Sequence, residues 1–308
     1  MVIMKRFRIK LKFTSPLHIG YKEGAFNLTE TIIHSDTIFS GIINCHSLLY
    51  GKDKTDNLIN EAINGNFKVS SAFYYINDEY LYPRPVGMNF KKYVDDFKKE
   101  KKINYVSEEI LFGNTKEAYL KDNMLLKKDM KKNVYNVRER PRSTLDRITN
   151  ASNIFYTSTC VFNEDCGLWF FMDAKDYIIE EIISSIKLLG DEGIGGDRTY
   201  GYGQFEFEPL EHYIEDIKDK NLLLSLCIPN EKDKVEDLIF YNIVERGGYI
   251  YSNYSKVKRH SLFRMIQEGS IVKGDFKGCI IDDTPEDFNY HKVYKYGRAF
   301  LIPLDWEG

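Results

Sequence analysis

The stretch GIGGDRTYGYGQFEF, residues 193 to 207, places five glycines in eleven positions before it becomes an alternating aromatic strand. What precedes it is a helix: DYIIEEIISSIKLLGDEG repeats Ile178, Ile179, Ile182, Ile183, Ile186 and Leu189 on one face. This helix–glycine–strand order restricts what the chain can be. A dinucleotide loop needs its glycines after a strand and before a helix, so that pyrophosphate meets the helix N-terminus. A Walker loop needs Gly-Lys-Ser/Thr, whereas residues 195 to 199 read GGDRT. Both nucleotide readings fail. A helix cap and a wide turn account for Gly193 and one further glycine. They leave Gly195, Gly196, Gly201 and Gly203, interleaved with Arg198, Tyr200 and Tyr202, to be explained. Glycine is costly to order and is placed where φ is positive or another backbone comes close. Two partners remain: a neighbouring turn of the same chain, or a polynucleotide whose phosphates the loop N–H groups cradle, with Arg198 for charge and Tyr200 for stacking.

The rest of the chain supplies the frame. Lys5 to Ile19 alternates, with Phe7, Ile9, Leu11 and Phe13 apolar, and predicts a half-buried strand. HSDTIFSGIINCHSLLYG offers Ser35 or Asp36 as N-cap, an apolar helical period, and Gly51 as the end. FKVSSAFYYINDEYLYP predicts strands turning at Asn77-Asp78, and SNIFYTSTCVFNEDCGLWFFMDA predicts a hairpin turning between Asn163 and Gly167. With the helix and strand around the glycine loop, the order is β-α-β, an interruption, then β-α-β. That is the order of the ferredoxin-like split βαβ unit, an α+β fold, here over residues 1–220. From Asn221 a second module begins, strand-rich, with one short helical candidate around Pro229 to Leu238. It predicts a degenerate second copy over 221–308, so two ferredoxin-like domains in tandem.

Charge divides the chain. The net charge is −3, but Arg84 to Arg147 holds 17 Lys and Arg against 10 Asp and Glu. Residues 85–150 therefore read as a basic, partly helical excursion from a body about ten charges negative. The five cysteines are scattered and include no CxxC, which argues against zinc and disulfide frameworks. No apolar run approaches the roughly 18 residues of a membrane span, and no N-terminal apolar signal core is present, so a cytoplasmic protein without cofactor is expected.

Three further stretches could meet nucleic acid. RERPRSTLDRITNAS carries Arg138, Arg140, Arg142 and Arg147 among Thr144, Thr149 and Ser152. Arginine forks and hydroxyls suit a single-stranded phosphate backbone, while the ordinary reading is a solvated loop pairing locally with Asp146. Arg246, Gly247 and Gly248 form a second glycine turn with a charged handle, and Lys256, Lys258 and Arg259 crowd four positions. Standing alone, these read as a hairpin turn and a soluble strand face. His18, after the first strand, and His34, before the helix cap, could each be a general base for RNA cleavage. No acid–base pair in the sequence compels that chemistry.

Together LHIG, HSDTIFSGI, RPRSTLDRITNAS, GIGGDRTYGYGQFEF, ERGGYIYS, KRHSLFRMIQEGS and HKVYKYGRAFLIPL resemble the RAMP superfamily of CRISPR-associated proteins. Within it they are most similar to the Csm subunits that cap the 5′ handle of the guide RNA in type III-A interference complexes. The resemblance implies a non-catalytic RNA holder with two ferredoxin-like domains and a thumb-like insertion at 85–150. It implies RNA contacts at His18, Ser35, Asp36, Arg138, Arg140, Arg142, Thr144, Arg147, Thr149, Gly193, Gly195, Gly196, Arg198, Tyr200, Gly201, Arg246, Gly247, Lys256, Lys258 and Arg259. It implies docking to a large polymerase-like subunit and to a backbone RAMP subunit. Related RAMP proteins that cleave precursor RNA use a histidine near the position of His18. A metal-independent endoribonuclease is therefore the alternative, and a pure assembly protein the third reading.

Overall fold

The alternating N-terminal segment forms β1 (Met4–Phe13), and its two faces enter two different cores. Ile9 and Leu11 join Ile38, Phe39, Ile42, Ile182 and Ile186 in one hydrophobic cluster. Arg6 and Arg8, on the opposite face, are buried as well, so the strand is covered on both sides rather than half-buried. Buried guanidinium groups require partners. Arg6 makes a two-pronged pair with Asp173 at 2.7 and 2.8 Å. Arg8 bonds Glu108 and Tyr82 and lies over the rings of Tyr80 and Trp169. The structure is a computed structural model that describes residues 3–20, 27–145, 152–250 and 258–305.

Helices α1 (Ser35–Tyr50) and α2 (Lys52–Ile63) follow, hinged at Gly51, which has φ 79°. The N-cap is His34, whose side chain makes no capping bond to the helix, and not Ser35 or Asp36. Asp36 lies inside the first turn because cations from the C-terminal half engage it. Helix α2 was not anticipated: its buried face holds only three apolar residues, Leu58, Ile59 and Ala62, beside Thr55. Next come β2 (Phe67–Val69), β3 (Phe73–Ile76) and β4 (Glu79–Pro83), with Asn77 at φ 53° making the expected turn. After the insertion come β5 (Tyr135–Leu145), β6 (Ser152–Phe162) and β7 (Cys166–Lys175), then α3 (Ile179–Glu192) and β8 (Phe205–His212).

The main sheet runs β8-β1-β7-β3-β4, all antiparallel, with β2 also on β7. Beyond β4 it continues through the short strands Tyr105–Ser107, Met124–Leu126 and Tyr119–Lys121, one pairing being parallel, to make nine strands of mixed direction. Two expectations change here. β6 and β7 do not pair with each other: β6 pairs with β5, and β7 is taken by β1 and β3. The first part of the basic excursion is also not a projection. Phe90, Ile103, Val106, Ile110 and Leu125 are buried against the sheet, and Arg84 pairs with the buried Glu100. Its strands are three residues long, too short to show a period of two. What stands apart from the sheet is the β5/β6 hairpin.

The C-terminal half is built from strands, and among its described residues there is no α-helix. The helical candidate is a single turn of 3₁₀ helix, Val235–Asp237. β9 (Lys220–Leu223), β12 (Ile271–Lys273) and β15 (Leu301–Pro303) form a small sheet with Leu238–Phe240. Two hairpins flank it, β10 (Ile243–Arg246) with β11 (Phe263–Ile266), and β13 (Gly278–Asp282) with β14 (Tyr294–Arg298). Leu222, Leu224, Ile271, Phe300 and Ile302 pack on Phe73, Trp169 and Phe171, so the main sheet lies between helices and C-terminal strands. Fully burying each such side chain contributes about 1.5–3 kcal/mol. No helix among the described residues is long and apolar enough to cross a membrane.

Candidate nucleic-acid interface

The glycine loop leaves α3 and folds back on the segment that follows β1. Three backbone bonds hold it: Ile194 N–H to Gly203 O at 3.0 Å, Gly203 N–H to Pro16 O at 2.8 Å, and Gly196 N–H to His18 O at 2.8 Å. At Gly203, φ is 76° and a Cβ would lie 2.0 Å from Ile194 O; at Gly195, φ is 94° and a Cβ would lie 2.4 Å from His18 O. These glycines serve their own chain. Gly201 differs, since the nearest atom to a Cβ there is Gln204 Oε1 at 3.8 Å, and Thr199 and Tyr200 beside it are exposed. The loop is thus a fastened base with an open tip.

Arg138, Arg140, Arg142 and Thr144 alternate along β5 and project from one face of the hairpin. Thr159, Thr157 and Phe155 of β6 stand directly opposite the three arginines. Val137, Pro141, Tyr156 and Ile154 occupy the other face together with Glu139 and Ser143, all exposed, so the arginines are confined to one side of the hairpin. Arg142 joins this row to the loop. Its Nη2 lies 2.9 Å from Asp197 Oδ2, and its guanidinium sits 4.5 Å from the Tyr200 ring centre. Asp197 holds a left-handed backbone at φ 59°. His18 completes the group: its Nδ1 is 2.7 Å from Ser158 O, and its ring lies against Gly196. One surface therefore brings together His18, Arg138, Arg140, Arg142, Thr144, Gly196, Tyr200 and Gly201, while Arg198, in the same turn, acts electrostatically on Cys45 of α1. Arg147, Thr149 and Lys256 lie outside the described residues.

The remaining candidates are elsewhere. Ser35 is buried and its Oγ accepts the Leu226 N–H. Lys258 pairs with Asp287, and Arg259 lies 5.5 Å from the Tyr249 ring centre. Gly247 adjoins Leu262. Asp36 and Arg246 belong to a buried seam in which three cations face three carboxylates. Asp36 meets Lys295 at 2.7 Å and Arg246 at 3.2 Å; Arg246 reaches Glu30 at 3.5 Å; His34 lies between Glu268 at 2.7 Å and Glu30 at 3.4 Å. Ser71 Oγ also donates to Glu268. Burial alone lowers the His34 pKa, but Glu268 by charge and hydrogen bond, with Glu30, raises it to about 10. Burial pushes Asp36 upward, yet Arg246, Lys295 and His34 hold it well below the usual carboxylate range. The seam joins the N-terminal helix start to the C-terminal strands, and no member is available to a ligand in this arrangement.

Sequence reasoning missed Asp197, which orients Arg142, and the threonines across from the arginines. The register of β5 against β6 alone reveals the latter, whereas the arginine row itself is visible as the five-residue Arg-x-Arg-x-Arg of positions 138–142. The RAMP superfamily model matches residues 10–206, and that of the CRISPR Csm4 C-terminal domain matches 217–304. The protein called CRISPR system Cms protein Csm4 of Methanocaldococcus jannaschii is 27% identical, covering 98% of each chain. Its namesake from Thermococcus onnurineus is 27% identical over 89% of this chain and 92% of its own. Among solved structures, a chain of the Csm3-Csm4 subcomplex of the type III-A interference complex superimposes with TM-score 0.68 at 24% identity, covering 98% and 99%. A chain of a Csm1-Csm4 cassette in complex with cA4 gives 0.64 at 21% identity, again over 98% and 99%. The order of strands, the fastened glycine loop and these matches over nearly the whole chain agree, and the chain belongs to the RAMP superfamily of CRISPR-associated proteins, with a Csm4 C-terminal domain.

Proposed function

We propose that the protein is the non-catalytic subunit that holds the repeat-derived 5′ handle of the guide RNA in a type III-A CRISPR interference complex. The observation that carries this reading is the Arg142 bridge, which joins the arginine row of β5 to the open tip of the glycine loop. Phosphates along one strand would meet Arg138, Arg140 and Arg142 in turn, with bases free to stack on Tyr200. We read residues 1–220 as a ferredoxin-like domain and 221–308 as its degenerate partner. The strand order β8-β1-β7-β3, with helices on one face, supports the first of these. The thumb-like part of the 85–150 insertion is, on this reading, the β5 arm of the hairpin. The solved relatives occur with Csm3 and with Csm1, which supports docking to a backbone RAMP subunit and to a large polymerase-like subunit in the cytoplasm. The test is titration of a short handle RNA, alongside incubation of labelled repeat RNA in EDTA. Binding without cleavage is expected. Specific cleavage that His18→Ala abolishes would replace this reading with the endoribonuclease; no binding would leave an assembly protein.

A further inference from the structure

A second basic surface lies on the insertion, where the short strand Tyr119–Lys121 forms the edge of the nine-stranded sheet opposite to β8. Residues 91–102 hold six lysines. Among the described residues, none of their ammonium groups has an ion pair or a hydrogen bond. Two of the three carboxylates in that stretch are committed within the fold. Asp96 caps the single helical turn Phe97–Glu100 by accepting the N–H groups of Lys98 and Lys99, and Glu100 is buried with Arg84. Between that turn and the edge strand is a cleft of about 400 Å³, lined by Lys99, Lys102, Tyr93, Val94, Leu120 and Asp122. The Tyr93 hydroxyl donates to Thr115 O at 2.9 Å, which fixes the ring as one wall. Lys92 adds its ammonium group 4.7 Å from the centre of that ring. Asp122, with its backbone left-handed at φ 53°, is the single carboxylate of the lining, is exposed, and pairs with neither lysine.

We propose that this cleft binds one ribonucleotide, its phosphate at Lys99 and Lys102, its base against Tyr93, Val94 and Leu120, and its sugar hydroxyl donating to Asp122. The volume lies at the low end of small-ligand sites, which suits a single nucleotide and not a duplex. Lysine serves phosphate as a point charge with rotatable donors. An aromatic wall beside unpaired cations is the pattern that holds single-stranded bases without regard to sequence. The carboxylate narrows the class further. The 2′-hydroxyl is a donor that deoxyribose lacks, whereas an acidic peptide would meet Asp122 as a repulsive charge and leave the apolar wall unused. The nucleotide belongs either to an RNA strand or to a free mononucleotide. Because the cleft shares no residue with the arginine row or the glycine loop, it stands apart from the handle surface.

The test uses the full chain carrying Arg138→Gln, Arg140→Gln and Arg142→Gln, so that the handle surface is silenced and its own failure is read separately. A short oligouridylate, its deoxyribose counterpart and adenosine 5′-monophosphate are titrated calorimetrically over a range of salt. Adding Lys99→Gln with Lys102→Gln should weaken the binding and flatten the log–log salt slope of the oligouridylate by about 0.7 to 1.4 units, one to two phosphate contacts. Both lysines are exposed, so the fold should survive, and a melting curve checks it. Asp122→Asn should bring the ribose and deoxyribose affinities together. No saturable binding of any ligand, or a slope unchanged in the double variant, overturns the proposal. So does tighter binding of both oligonucleotides by Asp122→Asn, or displacement by polyglutamate as effective as by RNA. Adenosine monophosphate separates the sources. Saturable binding that the double variant loses identifies a free nucleotide, and binding of the oligouridylate alone identifies a strand.

Discussion

Arg142 and Arg246 look alike in sequence, each in a short run of arginine with glycine or hydroxyl residues, and the fold uses them in opposite ways. Arg142 is held by one aspartate at the rim of an open surface, its guanidinium against an exposed tyrosine. Arg246 is enclosed by Asp36 and Glu30, and those carboxylates answer in turn to Lys295 and His34. The difference lies in how many opposing charges surround each. An arginine with a single carboxylate partner at a rim, here helped by the Tyr202 hydroxyl, retains donors for a ligand, whereas one inside a balanced cage has none to spare. Charge at the rim can recognise; charge in the seam holds two halves together.

The largest expected effect tests the seam. Asp36→Ala leaves Arg246 and Lys295 without their carboxylate and should cost about 3–5 kcal/mol in urea unfolding, with RNA affinity per folded molecule unchanged. A variant of normal stability that binds RNA poorly would make the seam a recognition surface and erase the contrast. Gly203→Ala should come next. Its left-handed backbone costs a side chain about 1–2 kcal/mol, and displacing the Ile194 carbonyl brings the total to about 3 kcal/mol. Gly201→Ala, in open space, should lose only the first part, so paired melting curves distinguish base from tip.

Acidity sharpens the same comparison. His34, raised to about 10, has a folded pKa above its unfolded value of about 6.5. Its stabilisation is complete below that value and is lost as pH rises through 10. His212 behaves oppositely: burial, then Arg8, depress it to about 4, so its contribution is present above about 6.5 and is lost as pH falls. Stability should therefore peak near neutrality, with limbs no steeper than about 1.4 kcal/mol per pH unit per proton. His34→Gln should flatten the alkaline limb in denaturant titrations across pH, and Arg142→Ala should leave both limbs intact. The smallest effect falls on the rim. Neutralising Arg138, Arg140 and Arg142 should move stability by no more than about 0.5 kcal/mol each. Together they should flatten the log–log salt dependence of RNA binding by about two units. An unchanged slope would mean the row faces a protein.

What could be read beforehand follows from the range of the interactions involved. The alternation at Phe7, Ile9, Leu11 and Phe13 and the Asn77-Asp78 turn are local, and both appear where expected. The pairing of β6 with β5 rather than β7 depends on which strand β1 claims, which no short window contains. Arg6 and Arg8 read as solvent-facing because their partners, Asp173 and Glu108, lie 167 and 100 residues away. The same distance hid the seam: Arg246 is 210 residues from Asp36. At the candidate site the glycines and arginines were visible as types, while their division into fastening and open positions required the neighbours.

The fastened loop also bears on how any guest strand would be received. Because Pro16, His18 and Gly203 hold its backbone already, its disorder is surrendered while the chain folds and not when a ligand arrives. A rigid mould of this kind leaves the loss of conformational entropy on binding almost wholly to the flexible strand. Discrimination would then depend on the guest's stiffness, a pre-curved strand being favoured over one of identical charge that must be bent into place.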